Sequence, residues 1–255
     1  RLLRLARFAA RFHDFSVAPE TMALARQLVT DGEVDALVPE RVWREMVKGL
    51  DAGQPGRMLQ VLDETGALVR VMPDLVFNDT IASELACASR NNLSLASRFA
   101  LLCRLSGQPG QIGKNLRAPT ECQDYARLLP MLLAGIQDAG AGAQGDKAGA
   151  WLDLMEQCDA LRKPERFLEL VVAGQCVSPE EDEAGSEKTD ASNAKAGVHG
   201  DAGQGKRISD NEAAAWQARV AAVRSIDAGA IAKACQGKPD RIKAALREAR
   251  LAALS

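Results

Sequence analysis

Four arginines open the chain, at positions 1, 4, 7 and 11 of the run Arg1-Leu2-Leu3-Arg4-Leu5-Ala6-Arg7-Phe8-Ala9-Ala10-Arg11-Phe12. At about 100° per residue, Arg4, Arg7 and Arg11 share one narrow sector of a helix with Arg1 beside them, and Leu2, Leu5, Ala6, Ala9 and Phe12 fall opposite. No acid stands three or four residues from Arg1, Arg4 or Arg7, so these guanidiniums repel one another until an anion arrives. Planar, forked donors of this kind suit phosphates and base edges. A solvated basic face is the plain alternative. The run has no initiator Met, no capping side chain and no helix-opening Pro, which predicts a piece cut from a longer protein.

Other chemistry-bearing groups lead less far. His13-Asp14 invites a metal-dependent phosphohydrolase reading. The chain has only two histidines, though, and His199 lies in a low-complexity stretch, so a multi-histidine centre cannot be assembled. His13-Asp14 reads instead as a helix C-terminus, where a partly cationic imidazole suits the dipole. Gly107-Gln108-Pro109-Gly110-Gln111-Ile112-Gly113-Lys114 lacks the glycine spacing and the Ser/Thr of a phosphate loop and reads as a solvated turn. Cys87, Cys103, Cys122, Cys158, Cys176 and Cys235 are scattered singly without C-x-x-C spacing. They predict neither a zinc site nor a disulfide framework, but small core residues in a reducing cytoplasm.

The secondary structure that carries these groups is helical. Aromatics are only 4% of the 255 residues and Ala is abundant, which favours packed helices over sheets. Pro-Glu starts at 19–20 and 39–40 and Pro55 open three helices after the first, the fourth stopping at Gly66 before an exit through Leu68-Val69-Arg70-Val71-Met72-Pro73. These four form one compact unit over 1–75. A weaker helical body follows over 76–177, with helices near Asp79–Ala88, Ser94–Leu105, Glu121–Gln137, Ala148–Asp159 and Pro164–Ala173. Residues 178–210 are rich in Gly, Ala, Ser and acids and nearly lack large apolar side chains, which predicts a disordered acidic insertion. A helical tail over 211–255 resumes around Trp216, turns at Asp227 and ends in a helix from Pro239 to Leu251. It carries eight Lys or Arg against four acids. The net charge of −2 therefore hides two cationic ends. No apolar run approaches the ~18 residues of a membrane span.

Taken in order, several of these pieces form a pattern. Arg-x-x-Arg-x-x-Arg-Phe-Ala-Ala is followed by a Pro-Glu-Thr helix, by Pro39-Glu40-Arg41-Val42-Trp43-Arg44-Glu45, and by Leu62-Asp63-Glu64-Thr65-Gly66-Ala67-Leu68 with Met72-Pro73-Asp74. Residues 1–75 thus resemble the neck of bacterial class II tRNA nucleotidyltransferases, the CCA-adding enzymes. Gly237-Lys238-Pro239-Asp240-Arg241-Ile242-Lys243 resembles the start of that family's last helix.

The resemblance implies an all-α fold of neck, body and tail. Arg1 matches the last residue of a Glu-Asp-x-x-Arg motif that reads the incoming base edge, and Arg4 the next nucleotide-side arginine, so both would bind CTP or ATP. Glu40 and Arg41 match a neck motif that braces this helix. The tail basic residues Arg241, Lys243 and Arg247 would bind tRNA. The Gly-Gly and Asp-x-Asp elements that hold Mg2+ in the family's head precede Arg1, so this segment is expected to have no metal of its own and no activity alone. Leu102-Cys103 is followed by Arg104-Leu105-Ser106-Gly107 where many relatives carry His-Asp-x-Gly-Lys, which implies a degenerate HD-like body. The expected whole is a cytoplasmic enzyme that adds CCA to tRNA. The alternatives are a bacterial poly(A) polymerase, which shares the neck, and a non-catalytic helical RNA-binding or interaction module.

Overall fold

The computed structural model describes residues 1–12, 14–141, 147–178 and 206–255, all helices and their connections, with no strand among the described residues. In chain order these are α1 (Leu2–Arg11), α2 (Pro19–Thr30), α3 (Pro39–Leu50), α4 (Pro55–Glu64) and the single turn α5 (Leu68–Val71). Next come α6 (Asp79–Arg90), α7 (Leu95–Cys103), α8 (Pro109–Asn115), α9 (Thr120–Ala141), α10 (Lys147–Gln157) and α11 (Pro164–Gly174). The tail holds α12 (Asp210–Arg224), α13 (Ala228–Ala234) and α14 (Pro239–Leu254).

Two start signals explain most boundaries. Proline at the first helical positions opens α2, α3, α4, α8, α11 and α14, where its fixed φ is already helical and its missing N–H costs nothing. Elsewhere a capping oxygen accepts a backbone N–H of the first turn. Asn78 accepts from Ile81, Ser94 from Ser97, Ser209 from Glu212 and Asp227 from Ala230. Ser209 and Glu212 complete a reciprocal capping box.

One hydrophobic core runs from Leu2 to Leu254. It crosses the expected 75/76 boundary, since α4 packs on α6 and α3 on α7. A Cβ on Gly56 would sit 2.9 Å from the Ala82 Cβ, so the glycine is what lets α4 and α6 approach. Two edge-on aromatic pairs join the three regions: Trp43 to Phe99 at 5.3 Å between α3 and α7, and Phe167 to Trp216 at 5.6 Å between α11 and α12. Each is worth about 0.5–1.5 kcal/mol beyond its buried area.

At the centre, Arg104 donates to both oxygens of the fully buried Glu84 carboxylate at 2.6 and 2.5 Å. The backbone N–H of Ser178 donates to the same carboxylate at 2.9 Å. The clamp therefore holds α6, the end of α7 and the end of α11 together. Arg98 donates to the Leu93 and Leu50 carbonyls at 2.9 and 2.7 Å, tying the end of α3 to α7.

Several expectations change. Gly107–Lys114 is not a solvated turn, because Pro109 starts α8 and Ile112 is buried beneath it. The exit after Gly66 winds into α5. Cys87 and Cys176 are not separate core residues but form a disulfide with Cα atoms 5.5 Å apart, linking α6 to the end of α11 across 89 residues. Proximity there is created by the fold of α6 against the body and leaves no mark in the spacing. Ile208, inside the expected insertion, is buried and its N–H donates to the Gly174 carbonyl. The rest of the expected insertion, 179–205 with His199, lies outside the described residues, as does His13.

Candidate nucleotide and RNA interface

The first helix is seated by small residues. Ala6, Ala9 and Ala10 are buried with Leu2 and Leu3, which brings α1 close against α3 and α4. Phe12, expected on that buried face, is instead 45% exposed because α1 ends at Arg11 and the chain turns away. Arg7, expected to lack an acid, has one from another helix: its Nε lies 2.7 Å from Glu45 Oε2 of α3. Neither atom meets hydrogen-bond geometry, so this is a close charge contact rather than an aligned bond. Lys48 Nζ stands 3.7 Å from the other Glu45 oxygen.

With Arg7 engaged, the remaining charge on this face is concentrated. Arg1, Arg4 and Arg41 are exposed, have no ion-pair partner among the described residues, and line one cavity of about 460 Å³. Leu3, Leu5, Phe8, Leu28, Val34 and Leu37 supply its apolar wall, and Glu33 adds an acid that has no ion pair among the described residues. Three guanidiniums facing a partly apolar hollow can bind an anion that also carries a flat apolar part. Arg41 is thus brought to the same cavity as Arg1 and Arg4 rather than serving only as a brace. The bracing contact from α3 to α1 is made by Glu45, four residues on. Glu40 pairs with Arg117, at the turn between α8 and α9. Glu45 was visible as an acid one turn after Arg41, but nothing local names Arg7 as its partner.

The tail is less uniformly cationic than its sequence. Arg247 reaches Asp153 at 2.7 Å and Glu156 at 3.4 Å, and Arg250 reaches Glu156 at 3.3 Å, so both are neutralised against α10. Arg241 and Lys243, in the first turns of α14, stay exposed without an ion-pair partner among the described residues. Arg219 lies over the rings of Trp151 and Trp216 at 3.7 and 4.9 Å, and burial lowers its pKa.

A larger cavity, about 770 Å³, lies between α7, α11 and α12, but Glu165, Glu169 and Asp210 give it the wrong sign for a phosphate. Glu169 there accepts from Ser94 and Tyr125, and burial followed by that hydrogen bond pushes the Tyr125 phenol up. Among the described residues no group of three or more His, Cys, Asp or Glu could hold a metal ion. No helix among them is long and apolar enough to cross a membrane.

A family model described as the probable RNA- and SrmB-binding site of polymerase A matches residues 14–77. The chain is 48% identical over 254 residues, its full length, to the CCA-adding enzyme of Bordetella pertussis, of which that match covers 60%. It is 37% identical to the multifunctional CCA proteins of Azoarcus sp. and Cupriavidus pinatubonensis, spanning 63% and 64% of them. No solved structure matches. Over its full length the chain is thus similar to a C-terminal portion of CCA-adding enzymes. It spans about three fifths of the length of the curated relatives it matches.

Proposed function

We propose that this chain is the nucleotide-selecting and tRNA-holding portion of an enzyme that adds CCA to the 3′ end of tRNA from CTP and ATP. The observation that carries the reading is the convergence of Arg1, Arg4 and Arg41, unpaired among the described residues, on one partly apolar cavity. A triphosphate meets the guanidiniums, and the base lies against the apolar wall with its edge toward Arg1. Glu45 holds Arg7, and with it α1, so the two outer arginines stay oriented. Arg241 and Lys243 hold tRNA phosphates, while Arg247 and Arg250 fasten α14 to α10.

Phosphoryl transfer in such an enzyme uses Mg2+, which neutralises the charge developing on the phosphates. The described residues do not fit that ion, so it is assigned to a head segment of the longer polypeptide. The residues named here bind and orient, and the cytoplasm, where the nucleotides and tRNA are, is the proposed location.

The test is transfer to tRNA lacking its terminal CCA by the longer polypeptide that carries this chain. Incorporation of both CMP and AMP is expected. Arg4→Ala should weaken nucleotide use by about 1.5–3 kcal/mol, the worth of a charge-assisted hydrogen bond, with tRNA affinity kept. No incorporation overturns the reading. Adenylate incorporation alone would instead support a poly(A) polymerase, the second reading, which the description of the matched family model favours.

A further inference from the structure

Of the six phenylalanines, Phe99 and Phe167 are fully buried and Phe77 packs partly on the core. The other three stand together in the open. Phe8, Phe12 and Phe15 are 40%, 45% and 70% exposed, with ring centroids 5.9 Å apart at each step. In a chain this poor in aromatics, leaving half of its phenylalanines exposed along one strip forgoes much of the burial such side chains normally gain. The strip borders a hollow of about 280 Å³ formed with Leu5, Ala9 and Val17.

Three features indicate what covers it. First, a cation stands beside the rings: the exposed Arg11 guanidinium lies 5.7 Å from the Phe12 centroid, and that of Arg7, already paired with Glu45, lies 4.6 Å from the Phe8 centroid. A polyanion with flat apolar bases matches both the rings and the arginine beside them. Second, the strip is held in place beforehand. Arg57 of α4 donates to the Phe12 and Phe15 carbonyls at 3.3 and 2.5 Å, so little ordering entropy is lost on binding. Third, Leu5 and Phe8 line both this hollow and the arginine cavity, so the two are continuous.

We infer that Phe8, Phe12 and Phe15 form a stacking platform for the unpaired 3′-terminal nucleotides of the RNA acceptor, beside the cavity that holds the incoming nucleotide. The inference rests on the proposed tRNA nucleotidyltransferase role and adds the path of the acceptor strand. Phe8 sits at the junction, so the terminal base lies next to the nucleotide to be joined, and Phe12 and Phe15 take the bases behind it. Stacking on phenyl rings tolerates any base, which a strand that changes its last nucleotide at each addition requires.

The experiment compares the affinity of this chain for one tRNA in two forms, with its unpaired 3′ nucleotides and trimmed to a blunt acceptor end, by fluorescence anisotropy. The parent should prefer the overhang. Phe12→Ala and Phe15→Ala should each weaken overhang binding by about tenfold, leave blunt-end binding unchanged and keep the thermal midpoint, since both side chains are exposed. Phe12→Tyr and Phe15→Tyr, which keep the ring, should retain the preference and guard against a folding artefact. Parental overhang affinity in the alanine variants, or equal loss on both RNAs, overturns the platform while leaving the proposed function in place, and points to a protein as the occupant. Failure of the parent to bind either RNA overturns the platform and the tRNA-holding role together.

Discussion

The arginine face of α1 and the basic face of α14 look alike as sequence, each a helix with a basic residue every two to four positions, but they differ in structure. On α1, one arginine is held by Glu45 and the outer two face a cavity that a third, Arg41, joins from α3. On α14, the two arginines nearest α10 are spent on Asp153 and Glu156, and only Arg241 and Lys243 at the far end stay open. The difference lies in which acids the fold delivers, and it separates a concave, arginine-lined cavity from a fastened helix with a small cationic tip.

Both faces depend on the same frame, and loosening that frame should have the largest consequence. Arg104→Met leaves the Glu84 carboxylate buried without its cation and should cost about 3–5 kcal/mol. Thermal unfolding of this chain would show it, and an unchanged midpoint would mean the clamp contributes nothing. A Glu84→Leu, Arg104→Met double variant should recover most of that loss, because replacing both partners removes the uncompensated charge.

Smaller changes set the two ends of α14 against each other. Arg241→Ala with Lys243→Ala should flatten the salt dependence of tRNA binding by up to about 0.7–0.9 for each phosphate no longer neutralised. Arg247→Ala should change that slope less and lower stability by about 0.2–1 kcal/mol, the usual worth of a partly exposed pair. Binding across a salt series together with thermal unfolding separates the two. A full loss of slope on Arg247→Ala would mean its ion pairs with α10 give way to RNA.

A last effect, seen only at alkaline pH, concerns buried thiols that belong to neither surface. Burial pushes Cys122 and Cys158 up to about 11 from an ordinary value of 9.0. The folded state thus favours the neutral thiol, a contribution fully present below about 9 and lost as pH rises toward 11. Stability measured over that interval should fall, and less so in Cys122→Ala. A flat profile would contradict the assignment.

Much of the fold was legible because its signals are local. Proline at first positions and Ser, Asn and Asp caps fix helix starts from neighbours a few residues away, and the spacing of Val42, Met46 and Leu50 names the buried face of α3 directly. What could not be read depends on partners distant in sequence. Arg7 meets Glu45, Cys87 meets Cys176, Arg247 meets Asp153 and Arg104 meets Glu84 only after the chain has folded. Counting acids within one helical turn therefore left Arg7 as a free charge, and the basic excess of the tail left Arg247 as one, although tertiary neighbours neutralise both. The same limit applies to Phe12, where helical phase assigns it to the buried face but the end of α1 at Arg11 releases it.

The proposed function implies a division of labour between the two basic helices, with nucleotide at the α1–α3 cavity and tRNA phosphates at the tip of α14. CTP and ATP kinetics and tRNA affinity, measured side by side in the longer polypeptide for Arg4→Ala and for the Arg241→Ala, Lys243→Ala pair, bear on it without intermediaries. The two variants should show opposite patterns: about a tenfold or greater loss in nucleotide use with parental tRNA binding for the first, and weakened, less salt-sensitive tRNA binding with parental nucleotide use for the second. Arg4→Ala weakening tRNA binding while nucleotide parameters stay parental would contradict the division.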